Sequence, residues 1–217
     1  MKIIAEKDRS FIDKGKIKLY NSFKGTAVAG SLNSLQKVII QPDGREKMEL
    51  NNGLHTVLII LSGTLEIKCT HFKDLKLCDA ALIIEKDSKP LLLRNRQENE
   101  AELLILNISR LNQENNLKKT QLNYQIPLVS NDIERSLKSR ENTVLISKIF
   151  CQRNGTLDYR QLDREKMLIL YVISGEADIN GNTLFYNDTA IFETHDDQII
   201  LADFKKNTEL LIIEIPS

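Results

Sequence analysis

The sequence has no surplus of either charge: thirty Lys and Arg are matched by thirty Asp and Glu over 217 residues. That removes the basic field a nucleic-acid binder needs and the acidic field that would draw a cationic partner. Long apolar runs are missing too. A stretch such as Val57 to Leu61 falls far short of the roughly 20 residues of a membrane-spanning helix, so no membrane association is expected. The opening Met1-Lys2-Ile3-Ile4-Ala5-Glu6-Lys7 carries no signal-peptide core, and the expectation is a cytoplasmic protein. Cysteine is scarce and odd in number. Cys69, Cys78 and Cys151 have no CxxC spacing, which argues against a disulfide framework and a zinc knuckle. Reduced thiols, packed mostly as small apolar residues, are expected instead. No GxGxxG or Walker-type loop occurs, and no serine stands in a His/Asp pattern that sequence can support.

What is present is a series of short apolar runs broken by Gly, Asn and Asp. From Met167 to Ile215 the order is regular: Leu168 to Ile173 is apolar and β-branched, Ser174-Gly175 turns it, and Glu176 to Ile179 alternates. Asn180-Gly181-Asn182 turns again, and Asn187-Asp188 starts the next run. Strand, Gly turn, strand, Asn-Gly hairpin, strand is a β-barrel written out piece by piece, in a cupin-like order. Earlier in the chain Leu35 to Gln41 alternates and Pro42-Asp43-Gly44 turns. Thr56 to Leu61 is β-branched and stops at Ser62-Gly63, after which Leu65, Ile67 and Cys69 face one side and Glu66 and Lys68 the other. Further strands are expected over Ala80 to Ile84, Pro90 to Leu93, Leu103 to Ile108 and Thr143 to Cys151.

The two halves repeat. VLIILSGTLEI (57–67) answers LILYVISGEADI (168–179), CDAALI (78–83) answers NDTAIF (187–192), and AELLILNI (101–108) answers TELLIIEI (208–215). The offset falls from 112 at Gly63/Gly175 to 109 at Asp79/Asp188 and 107 at Glu102/Glu209, because loops in the first copy are longer. The predicted fold is all-β, a bicupin of two double-stranded β-helix, jelly-roll-like barrels in one chain. The first occupies 1–110 and the second 143–217. The Asn-, Gln- and Lys-rich stretch 111–142 is predicted to be a linker, with a short helical turn over Ser130 to Glu141.

YVISGEADINGNTLFYNDTAIF, ELLIIEIP and the opening RSFIDKGKIKLYNSF (9–23) resemble the pirin family, bicupins that include quercetinase-type dioxygenases, and most closely its metal-lacking bacterial members. The resemblance spans nearly the whole chain. Active members of that family hold one iron-like metal in the N-terminal cupin, through a His-x-His pair before the Gly-ended strand and a His-x-Glu pair after the Gly-Asp turn. Counting from Gly63 and Asp79 puts those positions at Glu49, Asn51, Leu91 and Leu93. One carboxylate, one amide and two leucines do not make the imidazole-and-carboxylate set of a non-haem iron site, so no metal cofactor is expected. His55 is placed near the pocket mouth, as a locally bonded strand-edge histidine or with Glu49 as a two-ligand remnant. Leu91 and Leu93 are expected to point into the first barrel's cavity.

In the second barrel Gln161, Asp163, Met167 and the Asp196 to Gln198 region show no metal set. His71, His195 and the acid pairs Glu98/Glu100 and Asp196/Asp197 read as solvated loop residues. Phe72, Tyr159, Tyr171, Phe185, Tyr186 and Phe192 read mostly as core. The function implied is a non-catalytic pirin-like bicupin binding an unidentified small molecule or protein partner. Two alternatives stand beside it: a quercetin 2,3-dioxygenase-type oxygenase on a degenerate site, and a redox-responsive protein using Cys69, Cys78 or Cys151, which requires an exposed thiol of lowered pKa.

Overall fold

The computed structural model describes residues 1–29, 31–50, 53–69, 72–78, 80–84, 90–109, 120–121, 123–125, 144–160, 166–193 and 199–216. Its described residues are nearly all strand, with a single short 3-10 turn at Glu6–Asp8. They form two compact units, one of Arg9–Leu122 and one of Met1–Asp8 with Asn123–Ser217.

In the Arg9–Leu122 unit a seven-stranded sheet runs Thr120–Gln121, Ala80–Ile84, His55–Ser62, Ala101–Ile108, Leu32–Ile40, Ile17–Ala29, Ser10–Asp13. A four-stranded sheet runs Arg45–Met48, Leu91–Arg94, Thr64–Cys69, Phe72–Cys78. Because side chains alternate across a strand, every second residue points between the sheets. Leu19, Val38, Leu58, Ile60, Leu103 and Ile105 of the larger sheet meet Leu65, Ile67, Leu77, Leu91 and Leu93 of the smaller in one core.

The second unit repeats this order. Thr189–Phe192, Lys166–Ser174, Thr208–Pro216 and Leu145–Cys151 stand where Ala80–Ile84, His55–Ser62, Ala101–Ile108 and Leu32–Ile40 stand in the first. Thr156–Arg160, Ile199–Phe204, Glu176–Ile179 and Asn182–Phe185 form the matching four-stranded sheet. Its core gathers Leu168, Leu170, Val172, Leu210 and Ile212 from the larger sheet with Leu157, Tyr159, Ile179, Leu184 and Phe204 from the smaller.

The glycine turns hold the repeat in register. Gly63 (φ 76°) and Gly175 (φ 85°) both adopt the left-handed backbone that a Cβ disfavours. Each also abuts the same partner segment. A Cβ at Gly63 would lie 2.9 Å from Ala101 Cα, and one at Gly175 would lie 2.4 Å from the Asn207 carbonyl oxygen and 2.8 Å from Thr208 Cα. The strand ladder shifts register at both places, at Ser62–Glu102 and at Ser174–Glu209, so the offsets of 112 and 107 read from sequence are structural equivalences.

Three features depart from expectation. Lys2–Ile4 pairs antiparallel with Thr189–Phe192, so the chain's first strand belongs to the second unit. The predicted linker contributes two short strands: Thr120–Gln121 joins Ala80–Ile84, and Asn123–Gln125 runs parallel to Leu145–Cys151. Phe185 and Tyr186, expected in the core, are exposed at the end of the short Asn182–Phe185 strand and just after it. The helical turn expected over 130–141 lies outside the described residues.

Candidate functional site

Four strands of the first barrel become polar on their inner faces at the same end. On Ile17–Ala29 the inward series Ile17, Leu19 is followed by Asn21, and on Leu32–Ile40 the inward Val38 and Ile40 are preceded by Ser34 and Gln36. On Ala101–Ile108 the inward Leu103 and Ile105 lead to Asn107, and on His55–Ser62 the inward Leu58 and Ile60 are preceded by Thr56. Cross-strand register sets these side chains opposite one another: Asn21 faces Gln36, and Asn107 faces both Ser34 and Thr56. Two ladders break register beside this band, between Asn21 and Phe23 and between Asn107 and Ile108. Bulges of this kind re-aim side chains next to binding sites.

The band is hydrogen-bonded to itself. Gln36 Nε2 donates to Asn21 Oδ1 at 2.6 Å, Thr56 Oγ1 to Asn107 Oδ1 at 2.8 Å, and Asn107 Nδ2 to Ser34 Oγ at 2.7 Å. It borders a cavity of about 420 Å³, within the usual size of a small-molecule site. Leu19, Val38, Leu93, Ile105 and Met48 supply its hydrocarbon surface; Asn21, Asn33, Ser34, Gln36 and Asn107 supply amides and a hydroxyl. Glu46, Lys47 and Glu49 stand on the rim with their charges compensated: Lys14 Nζ lies 2.7 Å from Glu46, and Lys47 Nζ 3.2 Å from Glu49.

The positions carried over from the family fall around this cavity unevenly. Glu49 lines it from the surface, 70% exposed. Leu93 lines it from below, while Leu91 is fully buried in the core, paired with Met48. Asn51 lies outside the described residues. His55 is buried on the face of its strand opposite to Thr56 and is not among the described cavity-lining residues, which corrects its expected place at the mouth. An iron-type metal does not fit the described donors, since one rim carboxylate tied to Lys47 is joined by leucine hydrocarbon. Among the described residues no group of three or more His, Cys, Asp and Glu could hold a metal ion.

Elsewhere Glu98 and Glu100 are exposed, as a solvated loop requires, and Glu100 accepts from Gln41 Nε2. His71, His195, Gln161, Asp163 and 196–198 lie outside the described residues. Burial pushes the Cys151 thiol up to about 12, which removes it as a reactive thiolate, while Cys78 is exposed. The side chain of Cys69 is not described. No helix among the described residues is long and apolar enough to cross a membrane.

This architecture is a pirin-like bicupin fold, two cupin barrels in one chain. No protein-family model matches the sequence, and no curated protein does. Solved structures match it over almost its full length. Bacterial pirin YhhW from Escherichia coli in complex with nickel(II) superposes with a TM-score of 0.73 at 14% identity, covering 99% of this chain and 98% of that one. GK1651 from Geobacillus kaustophilus superposes with a TM-score of 0.77 at 10% identity over 99% and 94% of the two chains. Quercetin 2,3-dioxygenase from Acinetobacter baumannii superposes with a TM-score of 0.70 at 10% identity over 100% and 86%.

Proposed function

We propose that this protein is a non-catalytic, cytoplasmic bicupin that binds a small molecule in the mouth of its first barrel. The observation that carries this reading is the cavity itself. Its hydrocarbon floor and hydrogen-bonded polar wall suit a small ligand, while the positions at which the resemblance puts the metal of active family members carry Glu49, Asn51, Leu91 and Leu93. Nothing in that donor set supplies the two imidazoles of a dioxygenase centre. Small-molecule binding is preferred to a protein partner because the polar groups line a concavity and do not spread over a flat face.

The competing reading is a quercetin 2,3-dioxygenase-type oxygenase, favoured by the fold shared with that enzyme and with a nickel-bound pirin. Elemental analysis after dialysis separates the two. The purified protein is expected to carry no stoichiometric iron, nickel or copper and to leave quercetin unconsumed when iron is added. Retained metal that disappears in Glu49→Gln, together with quercetin turnover, would replace the proposal with the oxygenase.

A further inference from the structure

We infer that the cavity of the first barrel selects an uncharged ligand carrying a cis-amide edge, a carboxamide or lactam, and that the Asn21–Gln36 pair reads that edge. The inference rests on the ligand-binding reading and names its chemistry.

Asn21 and Gln36 are direct cross-strand partners, both line the cavity, and they share one hydrogen bond, Gln36 Nε2 to Asn21 Oδ1. A carboxamide holds two N–H donors and one carbonyl acceptor. Once the two amides have bonded to each other, Asn21 keeps its N–H donors and Gln36 keeps its carbonyl and its second N–H, so the pair can present an Asn21 donor beside the Gln36 acceptor. Exchanging the roles of the two amides leaves the same result, one donor beside one acceptor. The complement of that pair is a carbonyl beside an N–H in the cis arrangement of a primary carboxamide or a lactam. Ser34, whose Oγ already accepts from Asn107 Nδ2, has its own hydroxyl proton to give and reinforces the carbonyl side.

Charge discriminates further. Taking an ion from water into a partly enclosed site is unfavourable without a counter-charge. Here Glu46 is paired with Lys14 and Glu49 with Lys47, so the lining leaves no uncompensated charge of either sign. A carboxylate would set its second oxygen against the Gln36 carbonyl, and an amidinium would set its N–H groups against those of Asn21. Each mismatch leaves a polar group unpaired, and unpaired groups are where sites that read hydrogen bonds gain their selectivity. Leu19, Val38, Leu93 and Ile105 then cover the flat apolar face of the ligand.

Benzamide, benzoate, benzamidine and toluene share a ring and differ in charge and edge. Titrated into isotope-labelled full-length protein, benzamide is expected to shift the backbone resonances of Asn21, Ser34, Gln36 and Asn107. It should bind at least about tenfold more tightly than the other three, the factor one unpaired polar contact commands. Gln36→Leu should abolish the preference. Gln36→Glu, a near-isosteric change, should transfer it to benzamidine, with the unshifted remainder of the spectrum reporting an intact fold. Equal or tighter binding of benzoate, benzamidine or toluene by the unaltered protein, or a Gln36→Glu variant that still prefers benzamide, overturns the inference and leaves the cavity a ligand site. If none of the four probes perturbs the cavity resonances, the ligand-binding reading falls with it.

Discussion

Asn107 and Glu214 occupy the same place in the two repeats, the inward position beyond Ile105 and Ile212 on the last strand, at the offset of 107 that aligns Glu102 with Glu209. At the first site the residue is an amide bonded to Thr56 and Ser34 on the wall of an open cavity. At the second it is a carboxylate that accepts from the Tyr159 hydroxyl and lies 3.8 Å from Lys166 Nζ. Tyr159, Lys166 and Glu214 are all 6% exposed or less. One barrel frame therefore tolerates two endings. Neutral polar groups at strand ends can face an open cavity, whereas a buried charge demands its counter-charge beside it. The difference teaches that a few inward positions at the strand ends set whether the end of a barrel is neutral and open or ion-paired and buried, while the repeated core beneath them stays the same.

The largest test of that contrast is Glu214→Ala. It removes the buried carboxylate that faces the Lys166 ammonium and accepts from the Tyr159 hydroxyl and should cost about 3–5 kcal/mol in denaturant unfolding, whereas Asn107→Ala should cost only about 0.5–1.5 kcal/mol, since its partners turn to cavity water. Equal costs would mean that the two mouths are built alike. Next come the glycine turns. Gly175→Ala combines left-handed backbone strain with a 2.4 Å approach to the Asn207 carbonyl oxygen and should lose about 2–5 kcal/mol. Gly63→Ala, where the nearest atoms are at 2.9 Å, should lose less, about 1–2 kcal/mol. A reversed order of melting temperatures would break the comparison.

The smallest effect concerns the thiols. In a Cys69→Ser background, a thiol reagent at neutral pH should label Cys78 quickly and Cys151 only on the timescale of unfolding. Because the folded pKa of Cys151 lies at about 12 against 9.0, the unfolded chain ionises first as pH rises. Its contribution to stability is complete below pH 9.0 and is lost progressively up to about 12. Cys151→Ser should flatten that alkaline decline, which a pH series of melting curves would register.

Much of the fold was legible because turn chemistry is local. Ser62-Gly63 and Ser174-Gly175 announce left-handed turns, Asn180-Gly181 a hairpin with both residues at positive φ, and the three falling offsets give the repeat. The cavity wall was not legible in the same way. Asn21, Gln36, Thr56 and Asn107 are far apart in sequence, and only the phase of four strands together with their register brings them to one rim. A signal did exist: each is a polar residue in an otherwise apolar inward series. The bulges beside Asn21 and Asn107 break the alternation where it would have to be followed. His55 misled for a related reason, since it is adjacent in sequence to Thr56 but on the other face of the strand.

The clasp of the first strand has a consequence for how the molecule is made. Lys2–Ile4 pairs with Thr189–Phe192, and Glu6 continues the attachment: its backbone N–H donates to Asp188 Oδ1 at 2.8 Å, and its carboxylate accepts from Asn187 Nδ2 at 2.7 Å. Asn187 in turn accepts from the Tyr171 hydroxyl at 2.7 Å. Residues 2–6 thus find their partners more than 180 positions later in the chain. Emerging from the ribosome, the first barrel can close on its own strands, but the edge of the Thr189–Phe192 strand stays uncovered until the chain's beginning returns to it. Such long-range pairing is slow to form. Assembly of the second barrel therefore waits on a strand made before any strand of the first.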